Sequence, residues 1–321
     1  MTRQSGMPDA DLSGCRADFP ILSRTVHGVP LVWLDSAASS QRPRAVLDAM
    51  TRYYERHHAN VHRGAHALGE EATEAYETAR EKVAAFVGAP SAEEVVFTSN
   101  VTAAFNLLAY SWGRVNLREG DRVVLSALEH HANLVPWLQV RDATGCEIAW
   151  IELTEDGRLD LSTLPDLLEP PGGRRTRLVS IAGVSNVLGT INPIAEIARQ
   201  AHRAGALCFI DGAQWAPHLA TDVAALGVDA FAATGHKMCG PTGIGFLWAR
   251  AELLEAMPPF LTGGEMQAED VLAKFIPLVN QYYHEPKLFL ALQCLDEARH
   301  LGIVGQFETR IDVRFERKLA E

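Results

Sequence analysis

The sequence predicts an α/β protein with a mainly parallel β-sheet of about seven strands and helices on both faces. Between residues 94 and 257, short apolar runs rich in β-branched residues alternate with stretches of helical periodicity. Polar residues follow one strand after another, and sheets of this kind bind ligands beyond the carboxyl ends of their strands. With 321 residues, 47% of them hydrophobic, the chain can bury a large domain plus a smaller one.

Three parts are expected along the chain. Residues 1–30 begin polar and glycine-containing, and we expect an N-terminal arm or part of a small domain there. Residues 31–287 are predicted to form the large, ligand-binding domain. Residues 288–321 have helical periodicity and are expected to begin a C-terminal small domain that is mostly absent from this sequence.

The first elements of the large domain lead to a run of small residues. The apolar stretch 29–34 is predicted to be a strand, and the small residues 35–40 after it would let another group approach closely. Helical periodicity predicts helices over 43–58 and 71–88. The polar segment 60–66 between them is predicted to be a loop, either solvated or facing a substrate.

The alternating region predicts the remaining elements in order. Strands are expected at residues 95–97, 122–126, 147–153, 178–182, 206–210, 230–233 and 245–250. Helices are expected up to residue 112, after residue 133, and at 161–168, 193–204 and 251–257. The polar residues that follow five of these strands are Asn100 and Thr102, Glu129 and His130, Ser185 and Asn186, Asp211 and Gln214, and Thr234, His236 and Lys237. Their placement predicts one binding site at the carboxyl edge of the sheet.

Composition narrows the class of protein. The formal net charge of −11 argues against nucleic acid or an acidic membrane surface as the main partner. The five cysteines have no CxxC spacing, so neither a metal site nor a disulfide framework is expected. No stretch has the length and apolar character of a signal peptide or a membrane span, and a cytoplasmic location is therefore expected.

One lysine stands out at the end of a predicted strand. The apolar run 230–233 leads through Thr234, Gly235 and His236 to Lys237, and a turn rich in glycine and proline follows. A lysine amine whose pKa is lowered by burial is a nucleophile, and it forms a Schiff base with a carbonyl group. The alternative for Lys237 alone is a solvated cation at a strand end.

Three residues suit a phosphate group. Thr102 opens a predicted helix, whose free N–H groups attract anions, and Thr234 and His236 add further donors. Thr102 alone is also explained as a helix cap. A phosphorylated ligand is therefore the first expectation.

The other polar residues suit an aromatic ring with a basic nitrogen, an oxygen and an aldehyde. Asp211 ends an apolar strand, where its carboxylate is costly unless it faces a cation such as a protonated ring nitrogen. His130 can stack on the ring, and Gln214 and Asn186 can donate to its oxygen. With Lys237 for the aldehyde, this set predicts pyridoxal 5′-phosphate. Singly, Asp211 also fits a helix N-cap and His130 a surface histidine.

Six motifs resemble those of a known family. They are Leu34-Asp35-Ser36-Ala37-Ala38-Ser39, Val61-His62-Arg63-Gly64, Glu129-His130-His131-Ala132-Asn133, Val184-Ser185-Asn186-Val187-Leu188-Gly189, Asp211-Gly212-Ala213-Gln214 and Gly235-His236-Lys237. Their order resembles the class V aminotransferase group of fold-type I pyridoxal phosphate enzymes. Within that group it is most similar to the SufS-type (group II) cysteine desulfurases and selenocysteine lyases, from about residue 17 to residue 266.

The resemblance implies a role for each matching residue. It implies that Lys237 forms the internal aldimine, that His130 stacks on the ring and takes part in catalysis, and that Asp211 pairs with the pyridine nitrogen. The phosphate ligands it implies are Thr102, Thr234 and His236, with Thr234 where the family usually has serine. The ligands it implies for the ring oxygen or the substrate are Gln214, Asn186, Ala37, His62 and Arg63. No metal is implied.

The sequence departs from the family in three places. Residues 101–103 read Val-Thr-Ala where the family usually has Thr-Thr-Glu. After residue 266 there is no counterpart of the segment whose threonine reaches the neighbouring subunit's phosphate. The chain also stops where the family's C-terminal small domain would begin, so neither its persulfide-forming cysteine nor its carboxylate-binding arginine can be assigned.

The expected function is a cysteine desulfurase-like activity on L-cysteine, giving alanine. The resemblance implies a homodimer and a partner protein that accepts the sulfur or completes the site. Because the cysteine loop is missing from this sequence, an enzyme of impaired activity is one of the expected possibilities. Cys239, two residues beyond Lys237, is either a structural thiol or a group near the cofactor. Two alternatives remain: another pyridoxal phosphate enzyme such as an epimerase, lyase or aminotransferase, or a non-catalytic subunit.

Overall fold

The computed structural model describes residues 13–62, 65–172 and 174–261, and its centre is a seven-stranded sheet. The strands are β1 (Thr25–Val26), β2 (Val29–Pro30), β3 (Val95–Thr98), β4 (Asp121–Ser126), β5 (Glu147–Ile151), β6 (Arg175–Ala182), β7 (Leu207–Asp211), β8 (Ala230–Thr234) and β9 (Gly245–Ala249). In space the large sheet runs β3-β9-β8-β7-β6-β4-β5, while β1 and β2 pair only with each other. Every strand predicted between residues 95 and 250 is therefore confirmed, with small shifts of its ends.

The sheet is mainly parallel, as the alternation of strands and helices predicts. Strand β9 is antiparallel to both of its neighbours, β3 and β8, and the other neighbouring pairs are parallel. After β5 at the edge, the chain returns to β6 on the other side of β4. Such a reversal of strand order leaves a crevice at the carboxyl ends of the strands, which is where ligands bind in these sheets.

Helices cover both faces of the sheet. The helices are α1 (Arg44–Arg52), α2 (Ala67–Val87), α3 (Val101–Leu107), α4 (Arg114–Asn116), α5 (Val135–Thr144), α6 (Leu164–Leu168), α7 (Ile194–Arg203), α8 (Val223–Leu226) and α9 (Ala251–Glu255). Residues of α2, α6, α7 and α8 pack in one apolar cluster, and residues of α3, α5 and α9 pack in another. The predicted helices are confirmed, and α7 ends before Gly205 at φ +73°, the left-handed conformation that favours glycine.

The two apolar clusters lie on opposite faces of the sheet because successive strand residues alternate between them. In β8, Phe231 and Ala233 belong to one cluster, whereas Ala230 and Ala232 belong to the other. All five residues of β8 are buried, so the strand has no solvated face. A sheet buried on both faces explains why its strands read as continuous apolar runs rather than as an apolar and polar alternation.

The strand predicted at residues 29–34 is much shorter than predicted. Only Val29 and Pro30 pair, with Val26 and Thr25, in a hairpin whose turn residues His27 and Gly28 both have positive φ. Positive φ at both central residues is typical of a type I′ turn, which closes such a short hairpin. Residues 31–34 form no strand, because they find no sheet edge to pair with.

Several expectations lie outside the described residues. They concern the first twelve residues of the predicted N-terminal arm, most of the irregular region after residue 258, and the predicted small domain at 288–321. The division of the chain at residues 30 and 287 therefore stays a prediction. Within the described ranges, no helix combines the length and apolar character needed to cross a bilayer.

Substitution of Gly212, directly after β7, tests how closely the backbone packs against Phe231 of β8 next to the site. A Cβ atom there would lie 2.1 Å from Cζ of Phe231 in β8. We expect Gly212→Ala to lower the free energy of unfolding by about 1–3 kcal/mol, because the buried ring cannot move aside freely. Urea unfolding followed by circular dichroism measures the change.

Gly14→Ala is the matched control for this substitution. Within the described ranges, no atom lies within 4 Å of the position that a Cβ at Gly14 would take. We expect its free energy of unfolding to stay within about 0.5 kcal/mol of the wild type. Equal losses in the two variants would contradict the packing argument.

Candidate active site

A cavity of about 690 Å³ lies at the carboxyl edge of the sheet. The residues predicted from the sequence that line it are Ala37, Thr102, His130, Asn186, Asp211, Gln214, Thr234, His236 and Lys237. They come from segments spread over two hundred residues of sequence, and the sheet brings them together. These nine residues therefore share one cavity, whereas Glu129 and Ser185, which the sequence placed at the same edge, do not line it. The role of each residue stays a prediction.

Strand register explains how the central residues come together. Asp211 lies opposite Ala182 of β6 on one side and Ala232 of β8 on the other. Thr234 is two residues beyond Ala232, at the end of β8 opposite Gly245. Because residues two apart on a strand share a face, Asp211, Ala182 and Thr234 all meet the cavity at its floor.

Lys237 and Asp211 form the charged centre of the cavity. Lys237 ends a short 3-10 turn directly after β8, and Asp211 is only 4% exposed at the end of β7. Burial lowers the pKa of Lys237 below its ordinary value, and the charge of Asp211 acts against this shift. Burial also raises the pKa of Asp211, opposed by a hydrogen bond from the Ala213 N–H at 2.9 Å and by the charges of Lys237 and His130. The lysine is thus an amine of increased nucleophilicity beside a buried carboxyl group.

Thr234 and His236 supply polar groups on the same side. The Thr234 hydroxyl is buried and has no hydrogen-bond partner in the described part of the chain. A buried hydroxyl without a partner is unusual, since most such groups are hydrogen-bonded. Burial lowers the pKa of His236, with smaller contributions from the positive charges of Lys237 and Arg42. A neutral imidazole and a free hydroxyl can both donate to an anion.

The outer wall of the cavity carries Thr102, His130 and Asn186, all of them exposed. Thr102 lies in the first turn of α3, where the Asn100 side chain accepts from the Ala103 N–H at 2.8 Å. The Nδ1 atom of His130 accepts from the Ala132 N–H at 3.1 Å. A neutral His130 therefore carries its proton on Nε2.

Gln214 is fixed by the segment that precedes α1. Its Nε2 donates to the carbonyl oxygen of Ala37 at 2.7 Å, and its side chain is buried. The bond ties the turn after β7 to the run of small residues at 35–40. The small residues thus come close to the cavity, as their size predicts.

Glu129, next to His130, has a buried carboxyl group surrounded by hydrogen-bond donors. Its oxygens accept from the Ser126 hydroxyl, from the Ala182 N–H at 2.9 Å and from Asn133 Nδ2 at 2.6 Å. Burial raises the pKa of Glu129 to about 8, and the nearby charge of Asp211 adds to this shift while the hydrogen bonds oppose it. Glu129 therefore joins the end of β6 to the segment that carries His130.

Of two further predicted substrate residues, one does not line the cavity and the other is not described. The structure pairs His62 Nε2 with Glu77 Oε1 at 2.7 Å, and His62 is not among the described residues that line the cavity. Arg63 lies outside the described residues. The substrate contacts proposed for both residues stay predictions.

Cys239 is close to the lysine in sequence, but its thiol is poorly suited to act as a nucleophile. Burial raises its pKa, which disfavours the reactive thiolate, although a hydrogen bond to Ser40 and the charge of Arg42 oppose the shift. Cys239 is also absent from the residues described as lining the cavity. Its structural role is therefore the better supported of the two alternatives.

Sequence reasoning placed Asn100 at this edge of the sheet, but it gave no site role to Asp35, Thr242 or Ser40. Asp35, Asn100 and Thr242 line the cavity, and Ser40 contacts the backbone on both sides of Lys237. A local sequence pattern indicated the position of Asn100, because an asparagine before an apolar helical run is typical of a helix N-cap. No local sequence pattern indicated Ser40, because its contacts join residues almost two hundred positions apart.

The described residues contain no group of three or more histidine, cysteine or acidic side chains arranged to hold a metal ion. The site combines a cavity at the carboxyl edge of the sheet with a buried aspartate and with a lysine directly after β8. This arrangement is typical of fold-type I enzymes. Residues 32–278 match the family model for Aminotransferase class-V. The chain therefore belongs to the class V aminotransferase family, whose members depend on pyridoxal phosphate.

Relatives about 50% identical to this chain are named cysteine desulfurase or probable cysteine desulfurase. A probable cysteine desulfurase of Streptomyces coelicolor is 52% identical over 271 residues, which cover 83% of this chain and 63% of the relative. The chain thus spans about three fifths of the length of the curated relatives it matches. The resemblance that the motifs indicate is confirmed at the level of the family.

Solved structures agree with the predicted fold. The apo cysteine desulfurase of Thermococcus onnurineus superposes with a TM-score of 0.80 at 34% identity, covering 91% of this chain and 71% of that one. The cysteine desulfurase CsdA of Escherichia coli gives a TM-score of 0.74 at 36% identity, with coverages of 90% and 72%. The fold class is therefore confirmed.

The raised pKa of Glu129 predicts a pH-dependent stability that Glu129→Gln removes. Between its ordinary pKa of 4.5 and about 8, the folded protein keeps a proton that the unfolded chain releases. The free energy of unfolding of the wild type should therefore fall, relative to that of E129Q, as the pH rises through this window. The slope is up to about 1.4 kcal/mol per pH unit.

Urea unfolding of both proteins at several pH values from 5 to 9 measures this difference. The comparison cancels any pH-independent effect of the amide. A difference that stays constant, or that rises with pH, would show that Glu129 does not hold its proton in the folded state.

Proposed function

We propose that this chain binds pyridoxal 5′-phosphate and forms the cofactor-binding part of a cysteine desulfurase that acts on L-cysteine. The observation that carries the proposal is the cavity in which Lys237 lies close to the buried Asp211. Membership of the class V aminotransferase family and the cysteine desulfurase relatives support the same assignment.

The residues of the cavity fit the phosphate of this cofactor. The buried hydroxyl of Thr234, which has no partner among the described residues, would donate to a phosphate oxygen. His236 and Thr102 line the same cavity and would supply further donors.

The residues also fit the ring. Asp211 would pair with the protonated pyridine nitrogen, which offsets the cost of burying its carboxylate. Gln214 and Asn186 would donate to the ring oxygen, and His130 would stack on the ring from the outer wall. When bound, the cofactor supplies an electron sink for negative charge at the α carbon of an amino acid.

Lys237 and His130 are the proposed catalytic residues. Lys237 would bind the aldehyde carbon through Nζ, and its lowered pKa provides an amine that can take a proton from the substrate and return it. His130 Nε2 carries the proton of the neutral ring, because Nδ1 accepts from the Ala132 N–H. This proton is available to a group that approaches from the cavity.

The proposed reaction converts L-cysteine and a thiol into alanine and a persulfide. The carbon–sulfur bond of cysteine breaks, the sulfur bonds to the accepting thiol, and the β carbon receives the hydrogen. Asn186 and Ala37 would contact the substrate, as would His62 and Arg63. The accepting thiol would come from a sulfur-accepting protein or a small thiol, and the enzyme would act as a homodimer.

Lys237→Ala tests the assignment of the lysine. The wild type is expected to show the visible absorbance of bound cofactor and to release alanine and sulfide from L-cysteine when an external thiol is present. The variant should lose alanine release by more than about a thousandfold, because the amine both binds the cofactor and moves the proton. Absorbance spectra before and after L-cysteine, with alanine quantified by chromatography, give the measurement.

Lys82→Ala is the control, because Lys82 lies on α2 and does not belong to the residues described around the cavity. Its spectrum and activity should match the wild type. Cofactor binding without sulfur release would rule out the desulfurase assignment. Loss of the α-deuteron from a labelled amino acid would then indicate another pyridoxal phosphate enzyme, and failure of the wild type to bind cofactor would indicate a non-catalytic protein.

Thr234→Val tests the phosphate site separately. Removing the hydroxyl takes one donor from the phosphate and should weaken cofactor binding by about ten- to a hundredfold, the effect of one hydrogen bond to a charged group. The cofactor-free variant should be at least as stable as the wild type, because the hydroxyl lacks a partner there. Fluorescence titration with pyridoxal phosphate and thermal unfolding measure the two effects.

Ser111→Ala is the matched control for the threonine. Its hydroxyl is also buried and without a partner in the described part of the chain, but it does not line the cavity. We expect cofactor affinity to stay within about twofold of the wild type. If T234V binds the cofactor as tightly as the wild type, the Thr234 hydroxyl does not contact the phosphate.

A further inference from the structure

Ser40 lies where the segment before α1 meets the lysine loop, which we define as residues 235–244. It is buried, with 7% of its surface exposed. Its hydroxyl donates to the carbonyl oxygen of His236 at 3.0 Å and accepts from the N–H of Cys239 at 2.7 Å. Its own N–H donates to the same His236 oxygen at 2.9 Å. One side chain thus contacts the backbone on both sides of Lys237.

These contacts fix the peptide group that carries Lys237. The His236 carbonyl belongs to the peptide plane that ends at the Cα atom of Lys237, so the two bonds from Ser40 set the orientation of that plane. The Arg42 guanidinium donates to the Ser40 carbonyl at 2.6 Å and so holds Ser40 itself. A lysine side chain has four rotatable bonds, and a fixed backbone limits the volume that its amine explores.

The lysine loop depends on the bond from Cys239 to Ser40. Cys239 has φ +61°, the left-handed region, which is unfavourable for a residue with a side chain. The loop is closed on its other side by the N–H groups of Met238 and Gly240, which both donate to Gly235 O at 2.8 Å. Without the Ser40 hydroxyl, the Cys239 N–H would lose its partner, and the strained residue would lose one of the bonds that hold it.

We propose that Ser40 is a positioning residue that holds Lys237 in place by contacting the backbone on both sides of it. The effect of Ser40 on catalysis rests on the proposed function, because the group that Ser40 positions is the amine that would bind the cofactor. The contacts themselves belong to the protein and are present without a ligand. Ser40 is not among the described residues that line the cavity, so we class it as a positioning residue and not as a catalytic one.

The neighbouring Ser39 allows a matched comparison. Its hydroxyl donates to the same His236 oxygen, at the longer distance of 3.3 Å. Among the contacts described here, only the Ser40 hydroxyl reaches the N–H of Cys239. If the only effect of each serine is a hydrogen bond to the His236 oxygen, S39A and S40A should behave alike. If contact on both sides of Lys237 is what matters, only S40A should have an effect.

Hydrogen exchange of the cofactor-free protein tests the positioning itself. In Ser40→Ala, we expect the backbone amides of residues 236–240 to exchange about tenfold faster than in the wild type, because the loop loses two hydrogen bonds. Ser40→Thr, which keeps the hydroxyl, should restore most of the protection, and Ser39→Ala should change it by less than about threefold. Mass spectrometry of peptides from the loop gives the rates, with peptides from β4 as the internal reference.

Steady-state kinetics of the cofactor-loaded protein test the catalytic meaning. S40A should lower kcat for alanine release about ten- to a hundredfold with KM nearly unchanged, because a misplaced amine affects the transition state more than binding. S40T should recover kcat. If S40A does not fold, Ser40→Cys keeps a side chain of similar size with a weaker donor and should move both readouts in the same direction.

The outcomes separate this inference from the proposed function. Unchanged exchange in S40A, or equal effects of S39A and S40A, would overturn the positioning role even if the wild type is an active desulfurase. Faster exchange restored by S40T would support the role even if the wild type binds no cofactor, in which case only the proposed function fails.

Discussion

Lys237 and Asp211 are opposite charges that the fold holds partly or fully away from water, and the rest of the site depends on this pair. Burial favours the neutral form of each group, while their mutual attraction favours the charged forms. A ligand that offers an aldehyde to the amine and a cationic nitrogen to the carboxylate satisfies both groups at once. The strand register, which places Asp211 beside the end of β8, is what brings the pair together.

Around this centre, two sets of hydrogen bonds tie separate parts of the chain to the sheet edge. On one side, Ser40 and Gln214 attach the segment before α1 to the lysine loop and to the turn after β7. On the other side, Glu129 joins the segment that carries His130 to the end of β6. Both sets are buried or half-buried, where each bond is costly to lose. The cavity is thus shaped before any ligand enters, which lowers the cost of ordering it on binding.

Much of the fold and of the cavity could be predicted because their signals are local. Apolar, β-branched runs are typical of strands buried on both faces, and polar residues after each run indicate the carboxyl edge. This reasoning found Asp211, Thr234 and Lys237 and their shared edge. It failed at residues 29–34, where an apolar run has the composition of a strand, because pairing depends on whether a sheet edge is available.

The sequence by itself determined the class of fold, the edge of the sheet that carries the cavity and the family, since each follows from residue types in a fixed order. Only the tertiary structure decided that the Thr234 hydroxyl lacks a partner, that His62 pairs with Glu77, and that burial raises the pKa of Cys239. It also decided the contacts of Ser40 with the lysine loop, across almost two hundred residues of sequence. These properties depend on distances and burial between segments far apart in the chain, which no local pattern encodes.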